Sequence, residues 1–157
     1  MSSGVAVIKV GAATEVELNE LKERVKDAVG ATKAAIDEGI VTGGGVALLK
    51  ASNVLDRVFG ETDDETVGIK IIKETLSEPL RWLAKNSGVD DGWVVKTVEE
   101  NKDVNFGFNS LTLKFEDLIK AGVIDPVKVT RSALQNAASV ASMILTTDCL
   151  ITDKNEK

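Results

Sequence analysis

The sequence predicts a mainly α-helical fold with a few short strands. Apolar residues recur at helical spacing through most of the chain. The breaks between these stretches fall at Gly and Pro, in positions where helices stop and start. The two stretches that read as strands, residues 5–10 and 149–153, lie at the two ends.

Taken in order, residues 5–10 (VAVIKV) read as a strand ended by Gly11. A long helix follows. Thr14 is its N-cap, and Glu17 stands three residues on, the spacing of a capping box. Val16, Leu18, Leu21, Val25, Val29 and Ile36 form its apolar stripe, and Gly39 is the expected C-cap. After Gly43, Gly44 and Gly45, the stretch VALLKASNVLDRV predicts a second amphipathic helix. Residues 60–66 (GETDDET) read as an acidic loop, and residues 67–86 as a third helix that Pro79 kinks or splits. Residues 93–99 predict a short helix, Phe106-Gly107-Phe108 a small hairpin, and residues 113–121 a helix stopped by Gly122. Pro126 stands at the start of a last long helix, where its missing N–H does no harm. Ala133, Ala137, Ala138 and Ala141 give that helix a small-residue face. Residues 149–153 (CLITD) read as a final strand.

Composition narrows the function. The 157 residues are about one domain's worth, and only 4% are aromatic, so the core must be aliphatic. A net charge of −6 argues against nucleic acid as a partner. One cysteine, Cys149, allows no disulfide framework within the chain, which makes a cytoplasmic setting the default. The absence of histidine excludes His-ligated metals, Ser-His and Cys-His nucleophiles and imidazole acid–base chemistry. No apolar run approaches the ~18 residues of a membrane span, and no signal peptide is visible. Met1-Ser2-Ser3 reads as a start and short linker.

The glycine triplet needs a reason, because each Gly costs roughly 0.5–1 kcal/mol relative to Ala in a helix. One reading is a phosphate cradle at a helix start. The plainer one is a tight turn, since neither the Walker lysine pattern nor a full GxGxxG is present. Asp27, three residues after Arg24, reads alone as part of a solvated face. Asp125 before Pro126 reads as an N-cap carboxylate. Asn109-Ser110 reads as a turn or helix start, Trp82 and Trp93 as core or interface aromatics, and Cys149 as a small buried hydrophobe.

Three long blocks, SGVAVIKVGAATEVELNELKERVKDA, AAIDEGIVTGGGVALL and AGVIDPVKVTRSALQNAASVASMILTTDCLITD, together resemble the C-terminal third of the GroEL-type (group I) chaperonins. The resemblance runs from Gly4 to about Asp153. It departs in the stretch WVVKTVEENKDVNFGF, one residue longer than usual, and in lacking a glycine-methionine tail. It implies the helical half of an equatorial domain joined to a long intermediate-domain helix. Residues 4–37 correspond to the second half of the intermediate domain and residues 38–153 to the C-terminal half of the equatorial, nucleotide-binding domain. Residues 1–3 and 154–157 are tails.

The same resemblance implies the parent function, ATP-driven protein folding. Gly44 matches a glycine against the nucleotide, and Asn109, Ser110 and Leu111 match the adenine side. Val123 would pack on the base, and Asp125 would accept from the ribose hydroxyls. Asp27 matches the aspartate that activates the attacking water. The phosphate loop and the magnesium ligand have no counterpart here, so no metal ligand is assigned. ATP with magnesium is the cofactor of the parent, and the expectation is that this piece alone neither binds it stably nor hydrolyses it. Partners implied are other subunits in seven-membered rings, a lid co-chaperonin and unfolded proteins, the last two through an apical domain outside this sequence. Glu15 matches an intersubunit contact, Arg81 and Asp90 match charges near the ring–ring contact, and Glu38 and Arg131 match an ion pair. Half an equatorial domain should also self-associate through the apolar sides of residues 46–58 and 132–145 and through Trp82 and Trp93. The alternative is a non-catalytic helical module for interaction or assembly. An independent carboxylate hydrolase is disfavoured, because no other paired acids stand at a recognisable spacing.

Overall fold

The computed structural model describes residues 4–149 and 151–152. Their elements are α1 (Glu15–Glu38), β1 (Ile40–Thr42), α2 (Val46–Ala51) continuing as a 3-10 helix (Ser52–Arg57), α3 (Asp63–Thr75), α4 (Glu78–Asn86), α5 (Asp91–Glu100), β2 (Phe106–Asn109), β3 (Lys114–Asp117), β4 (Ile124–Pro126) and α6 (Val127–Leu145). The fold is mainly α, as the periodicity predicts. The four strands form two antiparallel pairs, β1 with β4 and β2 with β3.

The caps explain the helix boundaries. Thr14 Oγ1 accepts from the Glu17 N–H at 3.2 Å, and the Glu17 carboxylate accepts from the Ala13 N–H at 3.3 Å. Gly39, at φ +86°, closes α1 by donating to the Ala35 carbonyl at 2.8 Å. The same N-terminal device recurs where the sequence reads as a loop. Thr62 accepts from the Glu65 N–H at 3.2 Å, and Glu65 accepts from the Glu61 N–H at 2.7 Å. Residues 60–66 thus lead into α3, whose first turn holds Asp63, Asp64 and Glu65. Carboxylates there favour the positive end of the helix dipole. Pro79 splits the predicted third helix in two, and it sits in the first turn of α4, where no N–H is needed.

Three stretches depart from the pattern their sequence predicts. Residues 113–121 do not form a helix. Leu113 takes a left-handed φ of +57°, and β3 runs back along β2 with Phe115 opposite Phe108. Phe115 meets Trp93, Phe108 and Phe106 at ring separations of 5.1, 5.5 and 5.8 Å. Cross-strand aromatic contact here outweighs the local helical pattern. Residues 5–10 do not form a strand either. Residues 5–9 are exposed and Val10 half-buried, none pairs with a strand among the described residues, and β-branched propensity has no effect without a neighbour to bond. The predicted strand at 149–153 lies partly outside the described residues. Cys149, Ile151 and Thr152 are not in a strand, and Cys149 is exposed rather than buried.

The core is aliphatic and small. Val46 and Leu49 of α2, Leu80 and Ala84 of α4, Val94, Val95 and Val98 of α5, Phe108 of β2 and Leu118 converge in it. Burying one such side chain stabilises by roughly 1.5–3 kcal/mol. Within the stretch 46–58, whose apolar side is expected to be exposed, Val46 and Leu49 are instead buried, while Val54 and Val58 stand exposed. Helices α1 and α6 pack on each other and on β4, and neither contains a buried residue.

Candidate functional site

Strand β4 passes beside β1 with Asp125 opposite Val41, and the glycine triplet leaves β1 to enter α2. The Gly43 N–H donates to the Val123 carbonyl at 3.1 Å. A Cβ on Gly43 would stand 3.1 Å from the Val123 carbonyl carbon, and one on Gly45 would stand 2.7 Å from the Leu80 backbone nitrogen. What approaches these two glycines is the protein's own backbone, β4 on one side and the start of α4 on the other. Gly44 differs. A Cβ there would meet only Leu118 Cδ1 at 3.4 Å and the Phe108 carbonyl at 3.7 Å, and its constraint is a left-handed φ of +66°.

Beside this turn lies an open cleft of about 540 Å³. Gly44, Ser110, Val123 and Asp125 line it, so four of the seven residues singled out in the sequence meet in one place. Asp125 is on β4 and half-buried, and burial pushes its carboxyl above the ordinary carboxylate range. It does not cap α6. Pro126 holds that position, and no side chain caps that end. The walls are largely apolar, and neither Lys nor Arg lines them. One acceptor carboxylate in an apolar slot suits a neutral ligand with hydroxyl donors. Nothing in the lining would balance a triphosphate. Among the described residues no group of three or more acidic or cysteine side chains could hold a metal ion.

The other three residues lie elsewhere. Asn109 is buried and acts on the backbone. Its Oδ1 accepts from the Leu111 and Thr112 N–H groups at 3.0 and 3.4 Å, and its Nδ2 donates to Glu116 at 2.7 Å. It fixes the hairpin turn that places Ser110. Leu111 projects into solvent at the tip, 90% exposed. Asp27 is exposed on α1 and does not line the cleft. It stands roughly 16 Å along the helix axis from Glu38, at 1.5 Å per residue. Asp27 thus sits on an arm whose base is fastened to α6. Arg131 grips Glu38 through two contacts of 3.0 and 2.6 Å, and Lys128 reaches Asp37 at 2.8 Å. The expected Glu38–Arg131 pair is present.

Sequence reading missed Thr42, Leu48, Pro79, Leu83, Thr130 and Ala133 in the lining. The last two stand one turn apart on α6, and the small-residue face that begins at Ala133 was their available signal. Arg81 pairs with Asp91 at 2.9 Å, while Asp90 caps α5 by accepting from the Trp93 N–H at 2.6 Å. Glu15 lies exposed in the first turn of α1. No helix among the described residues is long and apolar enough to cross a membrane.

This chain is similar in structure to a group III chaperonin crystallised in the open state, with a TM-score of 0.78 and 29% identity. The match covers 90% of this chain and 30% of that one, so the chain spans under a third of that chaperonin's length. The sequence pattern of the TCP-1/cpn60 chaperonins matches residues 1–155. On that match, the chain belongs to the TCP-1/cpn60 chaperonin family.

Proposed function

We propose that this chain is part of a GroEL-type (group I), cytoplasmic, ATP-dependent folding chaperonin and carries the base and ribose side of its nucleotide site. The observation that carries this reading is the cleft where Gly44, Ser110, Val123 and Asp125 converge. In this reading Val123 packs on the base and Asp125 accepts from the sugar hydroxyls. Asn109 holds the hairpin turn in shape. ATP with magnesium, when bound, supplies the phosphoryl group whose hydrolysis drives the folding cycle. Its phosphate and metal contacts come from parts of the parent outside this sequence. Asp27 acts when α1 swings its arm over the cleft, and there it holds the attacking water in line.

Adenosine titrated at millimolar concentration into the isotope-labelled chain should shift the amide resonances of Gly44, Ser110, Val123 and Asp125. ATP should bind no more tightly than adenosine, because the cleft offers no cation. Asp125→Ala should abolish the shifts. A titration that moves none of these amides refutes the reading. In the assembled parent, Asp27→Ala should slow phosphate release far more than it weakens nucleotide binding.

A specific observation also favours a role in assembly. Along α6, Leu134, Val140, Met143, Ile144 and Leu145 are exposed, as are Trp82 and Trp93. We propose that these surfaces meet other chaperonin subunits in the parent and other copies of this chain when it is alone. The lid co-chaperonin and unfolded proteins are engaged by the parent outside this sequence.

A further inference from the structure

Two residues on either side of the glycine triplet reach across the chain to one loop. Lys50, at the end of α2, donates from Nζ to the Val98 carbonyl at 2.6 Å and to the Asn101 carbonyl at 2.5 Å. Thr42, the last residue of β1, is buried, and its Oγ1 donates to the Val104 carbonyl at 3.2 Å with Asn105 at the same distance. The loop between α5 and β2 is thereby fastened at both ends to the segment 42–50, which carries Gly43, Gly44 and Gly45.

The loop is shaped for this. Helix α5 has no basic residue in its last turn, so its terminal carbonyls are without a cation of their own. The Lys50 ammonium, arriving from a different helix, takes that place. Asn101 Oδ1 then accepts from the Asp103 N–H at 2.8 Å, and Asp103 Oδ1 from the Asn105 N–H at 2.9 Å. The Asn105 carbonyl accepts from the Leu118 N–H at 2.9 Å, which ties the loop to the core. Burial lowers the Lys50 pKa, while Glu99 and Asp103 raise it. None of Lys50, Val98, Asn101, Val104 and Asn105 lines the cleft.

We propose that Lys50 and Thr42 are positioning residues for the cleft: Lys50 from behind the glycine turn and Thr42 from the edge of the cleft tie that turn to the 101–105 loop and so hold Gly44 in the cleft wall. The inference rests on the proposed nucleotide site for its function but not for its geometry. The Gly43 amide, bonded to Val123, reports the turn itself, and hydrogen exchange can follow it with no ligand present.

The experiment compares Lys50→Met, Lys50→Arg and Thr42→Val in the full chain. Losing a hydrogen bond to a charged group should speed exchange of the Gly43 amide about tenfold in Lys50→Met, with a smaller rise in Thr42→Val. Amides deep in α4 should not change. Lys50→Arg should restore protection, since its guanidinium can reach the same carbonyls. With adenosine, Lys50→Met should weaken binding severalfold. Unchanged Gly43 exchange in both Lys50→Met and Thr42→Val overturns the proposal. So does acceleration spread evenly over the whole chain, which is what a purely structural role would produce. If Lys50→Met does not fold, Thr42→Val and Lys50→Arg still decide the point. Wild-type chain that ignores adenosine sinks the nucleotide reading and leaves the exchange result to stand or fall alone.

Discussion

The core around α2, α4, α5 and the β2–β3 hairpin seals Val46, Leu80, Ala84, Val94, Val98 and Leu118 completely from solvent. The helices α1 and α6, longer than any in that core, seal nothing. Both regions carry the same 3.6-residue apolar period. The period shows that a helix has an apolar face but not what covers it. In the core the cover comes from neighbouring elements of the same chain. Among the described residues none buries a side chain of α6, and the ion pairs Glu38–Arg131 and Asp37–Lys128 stand at the base of its packing on α1. The cleft sits where the two regions meet, with Gly44 and Ser110 on the packed side and Thr130 and Ala133 on α6.

Side-chain deletion should separate the two regions most sharply. Leu80→Ala removes a fully buried side chain from α4 and should cost about 2–5 kcal/mol. Ile144→Ala, on the exposed face of α6, should cost no more than about 0.5 kcal/mol. Urea denaturation followed by circular dichroism measures both. Equal losses would mean that α6 is packed in solution.

The glycine triplet should show a smaller contrast of the same kind. Gly45→Ala forces a Cβ against the Leu80 backbone at a φ of +75° and should cost about 2–4 kcal/mol. Gly44→Ala meets only ordinary contacts, so the left-handed strain of about 1–2 kcal/mol is its main penalty. A Gly44→Ala protein as unstable as Gly45→Ala would show that the turn is tighter than the backbone distances allow.

How far the molecule was legible follows the same division. Capping boxes, the Pro79 split and the Gly39 stop depend on residues a few positions apart, and they can be read locally. The hairpin partner of β2 cannot, because Phe115 is placed by Phe108 across the turn and not by its neighbours in sequence. Strands β1 and β4 are three residues each and 82 positions apart at their closest, Thr42 to Ile124, too short for any periodic signal. At the cleft, Gly44, Ser110, Val123 and Asp125 came from family resemblance and not from local pattern. Thr42 and Lys50 carry no motif, and their roles exist only through a loop some fifty to sixty residues away.

Association should follow the exposed region rather than the packed one. We expect light scattering at micromolar concentration to give a mass above the 16.7 kDa of one chain. Ile144→Lys with Leu145→Lys should lower it toward the monomer, since each exposed aliphatic withdrawn from water contributes roughly 1.5–3 kcal/mol at most. Lysine at Val54, exposed beside the core, should do less. A monomer that binds no apolar dye would show instead that α6 covers its own face.

The smallest effects should appear with pH, and they should have opposite signs at the junction and in the cleft. Arg131 donates to Glu38 and holds its carboxyl below the ordinary value of 4.5. That contribution to stability is present above 4.5 and is lost as pH falls through the lowered folded value. Asp125 is the reverse case. Burial raises its pKa above 3.8, so between that value and the folded one the native state binds more protons than the unfolded state. Stability therefore falls as pH rises through this window. Thermal midpoints of Glu38→Gln, Asp125→Asn and the parent chain, taken from about pH 3 to about pH 7, isolate each contribution by difference. Glu38→Gln should lose part of the acid-side decline, because that variant has no carboxylate to protonate at the junction. Asp125→Asn should gain relative to the parent chain as pH rises, because it has no half-buried charge to form. If both differences ran in the same direction, the junction and the cleft would share one electrostatic environment, and the contrast between a clamped arm and a desolvated slot would fail.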